Sequence, residues 1–189
     1  IMLPQFSNYD KVDTKLLFYH KYGSKYHKDQ VILCNPSAIE SSAQFEIKAG
    51  SGFQTIRAVD VDGDGTDEIV KINNGSSVED KTDFKVYIYS FDRYGTASCD
   101  SMTFRINDGS HNICFNNPAQ CDYYFGNYQG TGKEMLLIAT RERSHFALID
   151  LYSKTKVSET SLINMNDENV KWILSADIEG DGQDDICYI

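Results

Sequence analysis

Ala58-Val59-Asp60-Val61-Asp62-Gly63-Asp64-Gly65-Thr66-Asp67-Glu68-Ile69-Val70-Lys71 is the stretch on which the architecture turns. Carboxylates stand at Asp60, Asp62, Asp64 and Glu68, with glycines at Gly63 and Gly65. Alternating oxygen ligands followed by a sharp glycine turn suit a hard cation of calcium's size, which takes six to eight oxygens at about 2.3–2.6 Å. On either side, Thr55-Ile56-Arg57-Ala58-Val59 and Glu68-Ile69-Val70-Lys71-Ile72 are short and rich in β-branched residues, the pattern of strands. A helical calcium loop of the EF-hand or dockerin kind needs an acidic residue at its twelfth position, supplied by a following helix. Counted from Asp60, that position is Lys71, a cation. The loop therefore closes at its ninth residue, Glu68, and joins two strands.

A second copy lies at Ala176-Asp177-Ile178-Glu179-Gly180-Asp181-Gly182-Gln183-Asp184-Asp185-Ile186, where ligand types recur at Asp177, Glu179, Asp181 and Asp185. Its twelfth position is Tyr188, which again excludes the helical loop. Two eroded copies then become visible. Phe125-Gly126-Asn127-Tyr128-Gln129-Gly130-Thr131-Gly132-Lys133-Glu134-Met135 keeps the glycines but holds Asn127, Gln129, Thr131 and Met135 at the ligand positions. Phe6 to Phe18 aligns with it without a gap, with Leu16 in the closing place. Loop starts at Asn8, Asp60, Asn127 and Asp177 are spaced by 52, 67 and 50 residues, a period typical of propeller blades and similar arrays. The acidic loops are expected to bind calcium, one ion each, and the eroded ones to bind none.

These four loops resemble the FG-GAP or VCBS-type repeat of integrin-α-like β-propellers, in which a calcium loop joins the first two strands of a blade. The Gly126-Asn127-Tyr128 form is also similar to repeats of large Rhs, SpvB and toxin-complex proteins of bacteria. Glu68 and Glu179 replace the more usual aspartate or asparagine and keep an oxygen ligand. The resemblance implies backbone ligation at the seventh position, through the carbonyls of Thr66 and Gln183. It also implies a secreted or cell-surface bacterial parent.

The rest of the chain fits an all-β array over residues 1–189. Leu16–His20, Gln30–Cys34 and Ala43–Ile47 read as strands, followed by Phe84–Tyr89 and Met102–Ile106 in a second unit. Met135–Ala139, His145–Leu151 and Lys156–Leu162 form a third, and Val170–Leu174 opens a fourth. Each unit is a strand, a loop and three more strands: a four-stranded antiparallel blade. Three complete blades and two strands of a fourth are expected, an arc of a larger propeller whose open edges favour self-association. Asn107 to Gln120, rich in Asn and Gly, reads as an inserted loop.

The net charge of −10 argues against a nucleic-acid partner, and no run of apolar residues is long enough to span a bilayer. Part of that charge sits in the acidic loops, where carboxylates without a cation would repel one another. Five cysteines cannot all pair, and none makes a Cys-x-x-Cys spacing. Cys34 and Cys187 lie in apolar runs as buried thiols, while Cys114 and Cys121 flank a loop that a disulfide could bridge. Asn74-Gly75-Ser76 is a glycosylation pattern that matters only in a eukaryotic secretory setting.

His111 and Cys114 lack an orienting third group, so a Cys/His nucleophile is not expected. The functional expectation is a non-catalytic, calcium-stabilised scaffold that meets a protein partner or the rest of its propeller. The alternative is a carbohydrate-binding, lectin-like propeller, or a non-catalytic part of a polysaccharide-acting enzyme. That reading requires exposed aromatic platforms, with Tyr22, Tyr26, Tyr94 and Tyr123 as candidates.

Overall fold

The structure, a computed structural model, describes residues 16–20, 30–35, 38–46, 54–74, 83–91, 97–105, 121–140, 145–161 and 173–188. All regular structure among them is β, with no helix. The first sheet pairs β1 (Leu16–His20), β2 (Gln30–Asn35) and β3 (Ala38–Glu46) in that order. The second is a four-stranded meander of β4 (Gln54–Val59), β5 (Glu68–Asn74), β6 (Asp83–Phe91) and β7 (Ala97–Arg105). The third repeats it with β8 (Cys121–Gly126), β9 (Met135–Thr140), β10 (His145–Asp150) and β11 (Thr155–Ser161). The fourth holds β12 (Ile173–Ala176) and β13 (Asp185–Tyr188). Every pairing is antiparallel.

In the second, third and fourth sheets the nine-residue loop lies between the first two strands. Its edges are in register: Val59 faces Glu68, Gly126 faces Met135 and Ala176 faces Asp185. The first sheet has three described strands rather than four; the segment before its loop lies outside the described residues.

Two strands run further than propensity suggests. β7 begins at Ala97 rather than Met102 although Ala97-Ser98-Cys99-Asp100-Ser101 is weakly β-forming. It pairs along its whole length with β6, from Asp83–Arg105 to Phe91–Ala97, and the partner's ladder overrides the local preference. β3 likewise begins at Ala38 by pairing with Asn35 past a register shift. On β7, Ser98, Asp100, Ser101 and Thr103 are exposed, the polar character of an edge strand.

Within the third sheet, β9 is covered on both faces, which explains its unbroken apolar run. Along β9 the side chains alternate: Leu136 and Ile138 join Val59, Val61, Val70 and Ile72 of the second sheet in one core cluster. Met135, Leu137 and Ala139 join Tyr128, Phe146 and, from the fourth sheet, Ile173 in another. A strand with two buried faces needs apolar residues at every position rather than every second one. Each such side chain contributes roughly 1.5–3 kcal/mol on burial. The second sheet is similar, since Ile69 and Lys71 are as fully buried as Val70 and Ile72 on the opposite face. Lys71 is thus a strand residue of the interior, not part of a loop, and it has partners there.

Cys187 is half-buried, not enclosed as expected, because no neighbouring sheet covers its face of β13 among the described residues. Cys121 is buried in the core between the second and third sheets. Cys114 lies outside the described residues, and so does the proposed bridge.

Candidate metal centre

Glycine makes the loop possible. The fourth and sixth residues of all three described loops are glycines in the left-handed region: Gly63 and Gly65, Gly130 and Gly132, Gly180 and Gly182, with φ between 64° and 86°. A side chain at φ near +80° is strained, so the chain turns there at least cost with glycine.

The first residue of each loop ties the turn together. In the second sheet, Asp60 accepts from the Gly63 amide through Oδ1 at 2.9 Å and from the Gly65 amide through Oδ2 at 3.0 Å. Asp177 does the same for Gly180 (2.7 Å) and Gly182 (2.9 Å), and Asn127 Oδ1 accepts from Gly132 at 3.1 Å. The ninth residue reaches back to the second: the Val61 amide donates to Glu68 Oε2 at 3.0 Å, and the Ile178 amide to Asp185 Oδ2 at 3.3 Å. The fifth residue accepts from the seventh, Asp64 from Thr66 at 2.7 Å and Asp181 from Gln183 at 2.8 Å. The eroded third loop, which lacks the closing carboxylate, keeps the same turn.

Only the loop after β4 gathers its carboxylates among the described residues. Oxygens of Asp60, Asp62 and Glu68 lie within 4.8 Å of one another, at the first, third and ninth positions. Asp64 stays outside this group, with its Oδ1 on the Thr66 amide. Glu68 is only 7% exposed, and its pKa is pushed up to about 7. Burial is the main cause, with the charges of Asp62, Asp64 and Asp60 adding to it and the Val61 hydrogen bond opposing. Three carboxylates facing one another, one of them desolvated, form a site that a dication would relieve.

The fourth loop does not converge in the same way. Asp177, Glu179, Asp181 and Gln183 are exposed and Asp185 is half-buried, with no comparable triad formed among them. Its ligand pattern repeats that of the second loop, but nothing among the described residues covers it. Glu68 is driven inward beneath packed sheets, whereas Asp185 stands at an open margin.

The neighbouring loops are joined by a two-bond clasp that sequence reading missed. Glu134, eighth in its loop, accepts from the Asp60 amide through Oε2 at 2.8 Å, and its own amide donates to the Asp60 carbonyl at 2.8 Å. One sheet further on, Asp184, again eighth, accepts from the Asn127 amide through Oδ2 at 2.6 Å, and its amide donates to the Asn127 carbonyl at 3.1 Å. Asn127 adds a third bond, Nδ2 to the Gly182 carbonyl at 2.7 Å. Burial raises the Glu134 pKa, with the Asp60 amide opposing and Asp67, Asp60 and Asp184 adding to the rise. The signal was available in the alignment, since Asp67, Glu134 and Asp184 all hold the eighth position.

Gly126 sits at the same contact. A Cβ there would come within 2.6 Å of Asp184 Oδ2 and 2.7 Å of Ser175 Oγ. The hydroxyls of Tyr128 and Ser175 lie buried nearby, short of well-formed hydrogen bonds among the described residues, and burial pushes the Tyr128 pKa up to about 12. Beside Tyr128 a cavity of about 310 Å³ lies between Phe146, Leu148 and Thr160 of the third sheet and Asp185 and Ile186 of the fourth.

Of the aromatic candidates, Tyr123 packs half-buried against the core cluster between the second and third sheets and is not an open platform. Tyr22, Tyr26 and Tyr94, like His111 and Cys114, lie outside the described residues. No family model matches the chain, and neither the curated proteins nor the solved structures hold a significant match to it.

Proposed function

We propose that this chain is a non-catalytic scaffold and protein-interaction module of β-propeller type, stabilised by calcium and belonging to a larger secreted or cell-surface bacterial protein. In this reading the successive sheets are blades of the FG-GAP or VCBS kind. The nine-residue loops set the turn between the first two strands of each blade. Asp60, Asp62 and Glu68 supply side-chain ligands and Thr66 a carbonyl, with Asp64 completing the shell after it turns from the Thr66 amide. Asp177, Glu179, Asp181, Gln183 and Asp185 form a second, weaker site. Carboxylates committed to a filled cation shell are poorly placed to shuttle protons, which favours a structural role.

The observation that carries the reading is the convergence of Asp60, Asp62 and the buried Glu68 in a loop pinned to the next sheet. Oxygen-only donors of this charge suit calcium more than softer metals. The test is thermal unfolding with about 1 mM calcium against chelator, near the affinity range of extracellular modules. At that concentration, about 1–10 times the dissociation constant, one site adds roughly 0.4–1.4 kcal/mol. Calcium should raise the midpoint of the natural chain by several degrees and that of Glu68→Gln by much less. Identical midpoints with calcium and with chelator would end the proposal. Tyr123 packs half-buried against the core, and Tyr22, Tyr26 and Tyr94 lie outside the described residues, so the carbohydrate-binding alternative has no support among the described residues.

A further inference from the structure

The contact between successive sheets is built twice to one plan, and the fourth sheet presents the same plan uncovered. At the second position of the loop, Val61 is 4% and Tyr128 8% exposed, each buried in the cluster formed with the following sheet. The corresponding Ile178 is 66% exposed. Immediately before the loop, Val59 and Gly126 are buried while Ala176 is exposed. Three residues before it the two contacts differ, since Arg57 is exposed and Tyr124 packs against the third sheet's outer cluster; Leu174 there is 51% exposed. The polar half of the plan is open as well. The main chains of Asp60 and Asn127 each take two bonds from the eighth residue of the next loop. Asp177 stands in their place, and its amide and carbonyl meet no such residue among the described residues.

We propose that the outward face of the fourth sheet, Leu174, Ala176 and Ile178 with the Asp177 main chain, is a docking surface for one more sheet of this same design, whose loop carries Asp or Glu at its eighth position. The occupant's chemistry follows from the two clasps already in the molecule. The Asp177 amide needs an acceptor, which a carboxylate supplies, and the Asp177 carbonyl needs the amide of the same residue, which excludes proline. The apolar rim needs an alternating strand face like the one that Tyr123, Phe125, Leu136 and Ile138 turn to the second sheet. A second copy's first sheet does not qualify, because its loop carries Lys15 at the eighth position, a donor where an acceptor is required. The proposal rests on burial and main-chain bonding and holds whether or not the loops take a cation.

The probe is a fluorescent hairpin of residues 121–140, which carries Glu134 at its eighth loop position, closed by a disulfide from Cys121 to a Thr140→Cys end. Those two positions face each other in the β8–β9 register. Titrated with the whole chain up to about 1 mM, the hairpin should bind, and a Glu134→Lys hairpin should bind about tenfold more weakly or worse. Ile178→Lys in the chain should weaken binding to a similar degree with little shift in its thermal midpoint, because the Ile178 side chain is 66% exposed. A hairpin that shows its β signal and fails to bind would overturn the proposal, as would binding indifferent to both substitutions. To separate a poorly folded probe from an absent site, the hairpin's own β signal is read by circular dichroism, and the titration is repeated with a chain carrying Lys15→Glu as the partner in place of the hairpin. Association of the unmodified chain with itself that Ile178→Lys abolishes would overturn the assignment of the occupant.

Discussion

Glu68 sets the direction of the pH response. Its pKa rises from 4.5 to about 7 in the folded chain, so the folded state holds that proton more tightly than the unfolded state does. Without a divalent ion, the stability it contributes is fully present below pH 4.5 and is lost as pH rises through 7. Urea unfolding in chelator should therefore show roughly 2 kcal/mol less stability near pH 8 than near pH 5. Under the proposed calcium binding the sign reverses, because the ion favours the ionised form, so its increment should be larger near pH 8. Equal increments at both values would remove Glu68 from the site, and Glu68→Gln should flatten the chelator profile. Asn127 makes the opposite kind of case. Asn127→Asp would restore the acidic residue of the other loops, yet it loses the Nδ2 donor to Gly182 and sets a carboxylate against that carbonyl. The expected cost is about 1–2 kcal/mol, not recovered by calcium; a gain in stability in calcium would show that the amide is not what holds the two loops together.

At the scale of the loop and its strands, two glycines separate strain from contact. Gly65 has φ 84° and open space where a Cβ would go, so Gly65→Ala pays only for the left-handed backbone, about 1–2 kcal/mol. Gly126 has no such φ, but a Cβ there would strike Asp184 and Ser175 and push the fourth sheet away. Gly126→Ala should cost about 1–3 kcal/mol and lose hydrogen-exchange protection mainly in β12 and β13, whereas Gly65→Ala should loosen its own loop. Equal exchange profiles for the two variants would contradict this division. The strands flanking the acidic loops were legible because β-branched alternation is a local signal, and the ninth-position closure at Glu68 was legible because Lys71 cannot ligate. The early starts of β3 and β7 were not legible, because they come from pairing with β2 and β6.

Across the molecule, among the described residues, the second and third sheets hold the buried core and the fourth is the least buried. β5 and β9 lie between packed faces, while β12 and β13 have one covered face, so native-state exchange should be slowest in β5 and β9 and fastest in β13. Uniform protection across the sheets would mean that they unfold as a single unit. The amino-acid sequence alone determined the repeat, the all-β character, the glycine turns and where the loop carboxylates stand, since each depends on neighbours a few positions away. Tertiary structure alone decided which loop gathers its carboxylates, because Glu68 lies beneath packed sheets and Asp185 at an open margin. It alone also showed that the eighth-position carboxylates of Glu134 and Asp184 serve the preceding sheet, 74 and 57 residues away, and not their own loop. Nothing local in the chain says whose amide a carboxylate will meet; that is set when two faces pack and water is excluded between them.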